Sequence, residues 1–150
     1  MTESTIKIRL MKADDFDAVI GIDQEILKTP RPDYYEMKFE KLFGSKDYLP
    51  VSLVAEEEDG TVVGFVMGEL YMGEYGIFQE GATLDTIAVD PHHQHKGIGK
   101  QLINEFVDHL RKVGVQKINT LVDWNASKLI HFFSSNQFRP SKTINLERSI

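Results

Sequence analysis

The sequence has no cysteine among its 150 residues. Without cysteine the protein has no disulfide bond, no thiolate nucleophile and no cysteine-based zinc site. Long apolar segments are also missing, since no run approaches the ~20 residues that cross a membrane. The first residues, MTESTIKIRLMK, lack the apolar core of a secretory signal peptide. These absences predict a cytoplasmic location and no membrane partner.

Positive charge is scarce as well. The chain has 17 lysines and arginines against 23 acidic residues, which gives a net charge of −6. Nucleic-acid-binding domains usually carry a basic patch, so the composition argues against a nucleic-acid partner. The acidic balance favours solubility and is compatible with attraction of cationic amines. A hydrophobic content of 41% is ordinary for one globular domain covering residues 1–150.

The most informative stretch runs from Thr83 to Val113. Its first part, Thr83 to Val89, has the β-branched and apolar composition of a strand. Asp90-Pro91 ends that strand, because proline has no N–H for a ladder. After the turn at Gln94 to Gly99, which reads QHKGIG, apolar residues recur at helical spacing. A strand therefore leads into an amphipathic helix through a turn with two glycines.

The two glycines have a physical use at the start of a helix. The first helical turn has unpaired backbone N–H groups and the positive end of the helix dipole. Without a Cβ at Gly97 and Gly99, a bulky anion can approach the backbone itself. Lys96 and Lys100 add positive charge nearby. The sequence therefore predicts a pyrophosphate-binding site here.

Two well-known phosphate-binding loops do not fit this turn. A Walker loop requires GxxxxGK followed by serine or threonine, but Gln94 occupies the first glycine position and Gln101 follows Lys100. A dinucleotide-binding loop requires GxGxxG, and Leu102 stands where the third glycine belongs. Both kinds of loop are excluded.

The pattern Gln-x-x-Gly-x-Gly after a strand ending in Ile-Ala-Val-Asp-Pro resembles the acyl-CoA-binding motif of the GCN5-related N-acetyltransferase (GNAT) family. Gln94, Gly97 and Gly99 match the family pattern in place. An ordinary glycine-rich turn is the alternative interpretation. The preceding strand, the Asp-Pro stop and the amphipathic helix favour the family.

The region before this stretch predicts one strand, two helices and a β-hairpin. Apolar residues alternate from Ile6 to Leu10, as in a half-buried strand. Helical spacing predicts two helices, separated by a loop at Lys28 to Asp33 with a break at Thr29-Pro30. Two β-rich runs meet at Asp59-Gly60, a dipeptide that favours a tight hairpin turn. The segment from Gly73 to Gly81 is predicted to be a flexible loop.

The remaining residues predict a strand, a helix and a closing strand. Gln116 to Val122 has strand composition, and Asn125 is placed to cap a fourth helix. Ile144, Leu146 and Arg148 alternate as in a final strand. The resulting order, β-αα-βββ-α-β-α-β, is a mixed α/β fold with parallel pairing in its late βαβ unit. The resemblance implies the same single-domain GNAT-like fold, with splayed fourth and fifth strands.

The resemblance implies that acetyl-CoA is the co-substrate. In the family, the pantetheine arm binds the backbone of the fourth strand, and the pyrophosphate binds the turn and the helix start. Carried over by position, the residues that the resemblance assigns to acetyl-CoA are Ile87, Ala88, Val89, Gln94, His95, Lys96, Gly97, Ile98, Gly99, Lys100, Asn125 and Phe133.

The resemblance also implies direct transfer of an acetyl group to a primary amine of a small molecule or peptide. In the family, the segment joining the first two helices lies over the acceptor pocket. Arg31, Tyr34 and Tyr35 are therefore candidate acceptor contacts, with partly buried packing as the alternative for the tyrosines. A lysine-like amine with a pKa near ~10.4 must lose a proton first. Asp85 is the nearest candidate base, and a structural role is its alternative. Strand alternation predicts that Asp85 shares a face with Ile87 and Val89.

The second family motif departs from its pattern in this chain. Phe133 stands where many family members have the tyrosine that protonates the departing thiolate. Phenylalanine has no proton to give, so a catalytically weak or inactive acyl-CoA-binding module is an alternative function. A structural or partner-binding α/β domain is a third.

Two further features remain open in the sequence. Clustered histidines at His92, His93 and His95 lack the carboxylate and fixed geometry of a designed metal site, so no metal is predicted. An exposed closing strand could pair with a second subunit, so a homodimer is compatible with the sequence.

Overall fold

Five strands and four α-helices are present in the computed structural model, which describes residues 5–28, 31–44, 50–72 and 80–150. In chain order the elements are β1 (Lys7–Leu10), α1 (Phe16–Leu27), α2 (Pro32–Gly44), β2 (Leu53–Glu56), β3 (Val62–Met72), β4 (Glu80–Val89), α3 (Ile98–Lys112), β5 (Lys117–Asn119) and α4 (Ser127–Ser135). The predicted break at Thr29-Pro30 and residues 73–79 of the predicted loop lie outside the described residues.

The strands form one mixed sheet in the order β1-β2-β3-β4-β5. Neighbours are antiparallel except β4 and β5, which are parallel because α3 connects them as a crossover. The predicted mixed α/β fold is confirmed. None of the helices in the described ranges is both long and apolar enough to cross a membrane.

Helix and turn boundaries follow local sequence signals. Pro32 is the first residue of α2, where a missing N–H costs nothing. Gly60 has a φ of 88° in the hairpin turn between β2 and β3. Gly114 has a φ of 92° just after α3, and its N–H donates to the carbonyl of Arg111. These residues end or start elements as the sequence predicts.

The two faces of the sheet are covered by different helices. Phe65 and Met67 of β3 pack in a buried cluster with residues of α1 and α2, including Tyr35 and Phe39. Because side chains alternate along a strand, Gly68 lies on the other face, against α3. The α3 face and the α1/α2 face of β4 are therefore distinct surfaces.

Contacts divide the chain into two compact units, Met1–Thr120 and Leu121–Ile150. The first contains the sheet and helices α1 to α3. In the second, the Phe133 side chain of α4 is buried and contacts the rings of Phe132 and Phe138, at 5.5 and 5.0 Å between centroids. Ala126 is the N-cap of α4, so the predicted N-cap at Asn125 is wrong by one position.

The structure corrects three predictions about strands: one predicted strand, the length of β5 and the start of β4. The predicted closing strand is absent from the described residues 136–150, where Ile144 and Leu146 are 81% and 83% exposed. Alternation alone predicted it, but a strand also needs a ladder partner. β5 covers three residues rather than seven, because its hydrogen-bonded ladder with β4 ends at the pair Thr83 and Asn119. Glu80 and Gly81 belong to β4 rather than to a loop.

Candidate active site

β4 carries one extra residue relative to β3. The ladder between the two strands shifts register between Met67 and Gly68, and the residue of β4 left without a partner is Asp85. A bulge of this kind interrupts the alternation of side chains. Asp85 consequently contacts α2, on the α1/α2 face. The sequence expectation that Asp85 shares a face with Ile87 and Val89 is therefore wrong.

After the bulge, β4 presents backbone groups on the side away from β3. The N–H of Asp90 donates to the carbonyl of Val63 on β3 at 2.8 Å. Because backbone groups alternate along a strand, those of Ala88 also face β3, and those of Ile87 and Val89 face the opposite side. We call the backbone groups of Ile87 and Val89 the open edge. The backbone of Ala88, assigned to pantetheine by resemblance, faces the β3 ladder instead.

β5 stops before it reaches the open edge. The last residue pair of the β4–β5 ladder is Thr83 with Asn119. One further contact follows, in which the Thr120 hydroxyl donates to the carbonyl of Leu84 at 2.9 Å. Beyond this point, no strand in the described ranges pairs with β4 on that side. The open edge can therefore accept and donate hydrogen bonds as a strand would.

Residues 95–100, here called the cradle, turn the chain from β4 into α3. His95 and Gly97 have positive φ values of 66° and 79°, which turn nearby N–H groups toward one side. Gly97 is the N-cap of α3 and supplies no side chain to cap the first turn. Within the described part of the chain, the first three N–H groups of α3 have no backbone acceptor. The cradle therefore offers free donors at the positive end of a helix.

The loop before the cradle is fixed by its own side chains. The amide of Gln94 donates to the carbonyl of Val89 at 3.2 Å. His93 lies between two carboxylates, with Nδ1 3.0 Å from Asp90 and Nε2 3.2 Å from Glu57. Among the residues that the structure describes, no three histidine, aspartate or glutamate side chains are grouped to hold a metal. These contacts join the loop to β4 and to the β2–β3 turn.

Asp85 belongs to a cluster of charged side chains on the α1/α2 face. Nζ of Lys38 lies 3.0 Å from Oδ2 of Asp85 and 3.6 Å from Oε1 of Glu69, and Nζ of Lys41 lies 3.2 Å from Oε2 of Glu69. The ring of Tyr34 is 5.8 Å from Nζ of Lys38. Burial opposes the charged form of Lys38, but the hydrogen bond and charge of Asp85 raise the pKa of Lys38 above its ordinary value. We call these four charged residues the Lys38 cluster.

Arg31 and Tyr35 join the start of α2 to α1. Nε and Nη2 of Arg31 donate to the two carboxylate oxygens of Asp23, each at 2.8 Å, and the Tyr35 hydroxyl donates to Oδ1 of Asp23 at 2.8 Å. The Arg31 guanidinium also lies over the ring of Tyr34 at 4.7 Å. Tyr35 is fully buried, so its candidate role as an acceptor contact is corrected to packing. Arg31 and Tyr34 remain partly exposed.

The environment of Asp23 gives a pH-dependent contribution to stability. Burial alone would raise the pKa of Asp23, but the hydrogen bonds from Arg31 and Tyr35 hold that pKa below its ordinary value. A carboxylate with a lowered pKa in the folded state stabilises the fold above the unfolded value of ~3.9, and this stabilisation is lost as pH falls through the folded value.

Asp23→Asn should therefore lower the free energy of unfolding at pH 7 by about 2 kcal/mol. The difference from wild type should shrink as pH falls from ~4 through the lowered pKa of Asp23, because the unfolded wild-type chain is protonated first and the folded carboxylate follows at lower pH. Urea unfolding at a series of pH values measures both effects. The exposed Asp14→Asn is the matched control and should change stability by less than ~0.5 kcal/mol. An Asp23→Asn difference that stays constant from pH 7 to pH 2 would contradict this account.

Comparison with known proteins identifies the family. The model of the acetyltransferase (GNAT) family matches residues 17–137, which include both the open edge and the cradle. The chain belongs to the GNAT family.

Two curated GNAT relatives match part of the chain. The E. coli (strain K12) ribosomal protein bS18 alanine N-acetyltransferase is 34% identical over 108 residues, which are 72% of this chain and 64% of the relative. A mycothiol acetyltransferase from Propionibacterium freudenreichii is 30% identical over 86 residues, which are 57% of this chain and 27% of the relative. The chain thus spans less than two thirds of the length of each.

Solved structures of acetyltransferases share the fold. The aminoglycoside N-acetyltransferase AAC(6')-Iy in complex with CoA has a TM-score of 0.80 over 99% of this chain and 97% of that chain. The sequence identity is 16%, so this likeness concerns the fold. The order of elements implied by resemblance to the GNAT family agrees with the structure of this chain up to α4.

Some residues of this GNAT site could not be found from the sequence. Lys38 contacts both Glu69 and Asp85, the latter across 47 positions of the chain, and no local pattern connects these residues. One signal was present: Tyr34 and Lys38 are four residues apart, so they lie on one side of a helix. Asn125 and Phe133 belong to the second unit, where Asn125 is exposed and Phe133 is buried. Their assignment to acetyl-CoA stays a prediction.

Proposed function

We propose that this protein is an acetyl-CoA-dependent N-acetyltransferase that moves an acetyl group directly to a primary amine of a small molecule or peptide. The observation that carries the proposal is the open edge of β4 leading into the cradle. An extended arm that makes amide hydrogen bonds, followed by a pyrophosphate, has the chemistry that these two features can bind. The family match supports the same conclusion.

The residues present fit acetyl-CoA. The open edge offers the N–H and C=O groups of Ile87 and the N–H of Val89 to the amides of a pantetheine arm, while the carbonyl of Val89 already accepts from Gln94. The cradle offers the first N–H groups of α3, and a Cβ at Gly97 would meet nothing within 4 Å. Lys96 and Lys100 are exposed beside these groups and add positive charge. The cradle therefore suits a diphosphate better than a neutral group.

The chain's own residues would supply binding, orientation and proton transfer. Acetyl-CoA supplies an acetyl group activated as a thioester. We propose that a backbone N–H near Val89 stabilises the negative charge that develops on the acetyl oxygen. Asp85 is the proposed base for the acceptor amine, directly or through water. Arg31 and Tyr34 are the proposed acceptor contacts that remain partly exposed.

The proton for the leaving thiol has no obvious donor at the family position. Phe133 is buried between two other phenylalanines and carries no ionisable group. A thiol with a pKa near ~8.5 is a tolerable leaving group as its thiolate. We therefore propose that the thiol leaves as the thiolate or takes its proton from water.

The proposal predicts release of free CoA thiol when acetyl-CoA is incubated with a suitable amine. The assay should use a panel that includes alkylamines, aminoglycosides and peptides with a free N-terminus, because relatives are named for small-molecule and protein acceptors. Amine-dependent thiol release that saturates with acetyl-CoA supports the proposal. Saturable binding of acetyl-CoA without turnover on any amine would contradict it.

Phe133 favours a second candidate, a catalytically weak or inactive acyl-CoA-binding module. Phe133→Tyr separates the two candidates because it restores a proton donor at the family position. If the wild-type protein is an enzyme limited by the leaving thiol, the variant should raise kcat by about 100-fold, the lower end of the range for general acid catalysis. An unchanged and negligible kcat favours the binding module. The exposed Phe43→Tyr is a control for the added hydroxyl.

The proposal keeps the location and partners expected from composition. We propose a cytoplasmic enzyme that acts on a small-molecule or peptide amine and has no nucleic-acid or membrane partner. A homodimer stays a prediction.

A further inference from the structure

The Lys38 cluster lies where the candidate base meets α2. Lys38 contacts the acids of two strands, Asp85 on β4 and Glu69 on β3. The side chains of these three residues are 22%, 20% and 20% exposed, so the cluster is largely buried but reaches solvent. Tyr34 contributes its ring on the same side of α2. The cluster therefore lies beside the proposed base and is accessible from solvent.

The cluster holds an ammonium group in a site shaped for one. Two carboxylates and an aromatic ring surround Nζ of Lys38, a combination that binds alkylammonium ions in general. Oε1 of Glu69 is buried and, within the described residues, has no hydrogen-bond partner; Nζ of Lys38 is 3.6 Å away. The Lys38 side chain therefore occupies a site that could bind an ammonium ion, and Oε1 of Glu69 is left without a hydrogen bond among the described residues.

The charges of the cluster balance. Lys38 and Lys41 face Glu69 and Asp85, so two positive charges meet two negative ones. An acceptor that brings a second ammonium group finds no unneutralised carboxylate among these residues. It would have to displace Lys38, which is tethered beside both acids at high effective concentration. Because Asp85 raises the pKa of Lys38, the lysine stays charged through neutral pH.

We infer that Lys38 is a specificity-determining residue, which excludes acceptors carrying a second ammonium group from the acid pair Asp85 and Glu69. The inference rests on the proposed function, because it assigns the acceptor to the surface beside Asp85. It specifies the substrate class further: a monoamine, such as a peptide α-amine with no neighbouring cation, rather than a diamine or polyamine.

Lys38→Met tests the inference because it keeps the length of the side chain and removes its charge. The probes are n-butylamine and 1,4-diaminobutane, which differ in one terminal amine. In the variant, the KM of the diamine should fall by about tenfold relative to that of the monoamine, as expected for one newly formed, partly buried ion pair. Lys38→Arg keeps the positive charge and should retain the wild-type preference. A merely structural lysine would change the KM of both amines alike.

Two further variants assign the effect to the acid pair. Lys112→Met removes a positive charge that pairs with Asp108 near the end of α3, and it should leave the ratio of the two KM values unchanged. Adding Glu69→Gln to Lys38→Met should remove most of the gain, because only one carboxylate then remains for the second ammonium. The double variant also shows whether a change comes from charge rather than from altered packing.

Equilibrium binding of 1,4-diaminobutane to each variant, measured by calorimetry with CoA present, provides a readout independent of turnover. Tighter diamine binding to Lys38→Met than to wild type or Lys38→Arg supports the inference. Equal diamine affinities in all three proteins overturn it. Absence of turnover on every amine contradicts the proposed function instead, and the binding comparison still decides the role of Lys38.

Discussion

Replacing Gly99 with glutamate should abolish acetyl-CoA binding while the protein stays folded. Gly99 lies in the first turn of α3 with helical backbone angles, so a side chain there does not strain the chain. The new carboxylate would lie among the N–H groups of the cradle and repel the diphosphate. Like charges facing each other cost several kcal/mol, so the Kd of acetyl-CoA should rise by about 100-fold or more. Calorimetric titration measures this change.

Gly21→Glu is the matched control for this change. Gly21 is an exposed glycine inside α1, and a Cβ there would meet nothing within 4 Å. The control makes the same charge change on another helix and should leave the Kd of acetyl-CoA within about twofold. Gly99→Ala should have an intermediate effect, because it adds bulk without charge. If Gly99→Glu binds acetyl-CoA as tightly as the wild type does, the cradle is not the diphosphate site.

Replacing Gly68 with alanine should cost about 3 kcal/mol in the free energy of unfolding, the upper end for overpacking a tight core. A Cβ at Gly68 would lie 2.6 Å from the Phe106 ring and 2.7 Å from the carbonyl oxygen of Thr83. The first neighbour belongs to α3 and the second to the backbone of β4, so relief requires movement of either element. The melting temperature should fall by roughly 6–12 °C for a chain of this size.

Gly21→Ala makes the same chemical change in open space and should stabilise the protein by about 0.5–1 kcal/mol through helix propensity. The two substitutions therefore have opposite expected signs, and differential scanning calorimetry on both proteins compares them directly. A Gly68→Ala protein that melts within about 1 °C of wild type would mean that β3, β4 and α3 are packed less closely than described. Because Gly68 adjoins the register shift opposite Asp85, its loss should also disturb the bulge.

The sequence predicted the features of this fold that depend on local chemistry. Pro32, Gly60 and Gly114 marked a helix start, a hairpin turn and a helix end because each residue restricts or extends the backbone angles at its own position. The cradle was predicted for a similar reason: Gly97 and Gly99 act on the backbone next to them. Local patterns also predicted the element order, which the structure matches up to α4, and the family resemblance implied the same order.

Features that depend on distant partners could not be predicted. The bulge at Asp85 arises from the register between β3 and β4, and strand alternation alone grouped this residue wrongly with Ile87 and Val89. The alternating residues Ile144 and Leu146 predicted a strand, but alternation does not supply a ladder partner. The family resemblance made Tyr35 a candidate acceptor contact, with packing as its alternative, and the sequence did not show that its hydroxyl bonds to Asp23, twelve residues earlier. In each case the missing information was a tertiary contact.

Because β5 is short, the stability of the sheet would depend on the concentration of acetyl-CoA. Because β5 covers only three residues, the far end of β4 has no strand partner on that side within the described residues, and a ligand that supplies hydrogen bonds would complete it. By mass action, a ligand present at 100 times its Kd adds about 2.7 kcal/mol to the stability of the protein that binds it. For a small domain that amount is a sizeable share of the total. The lifetime of this protein would then follow the concentration of acetyl-CoA around it.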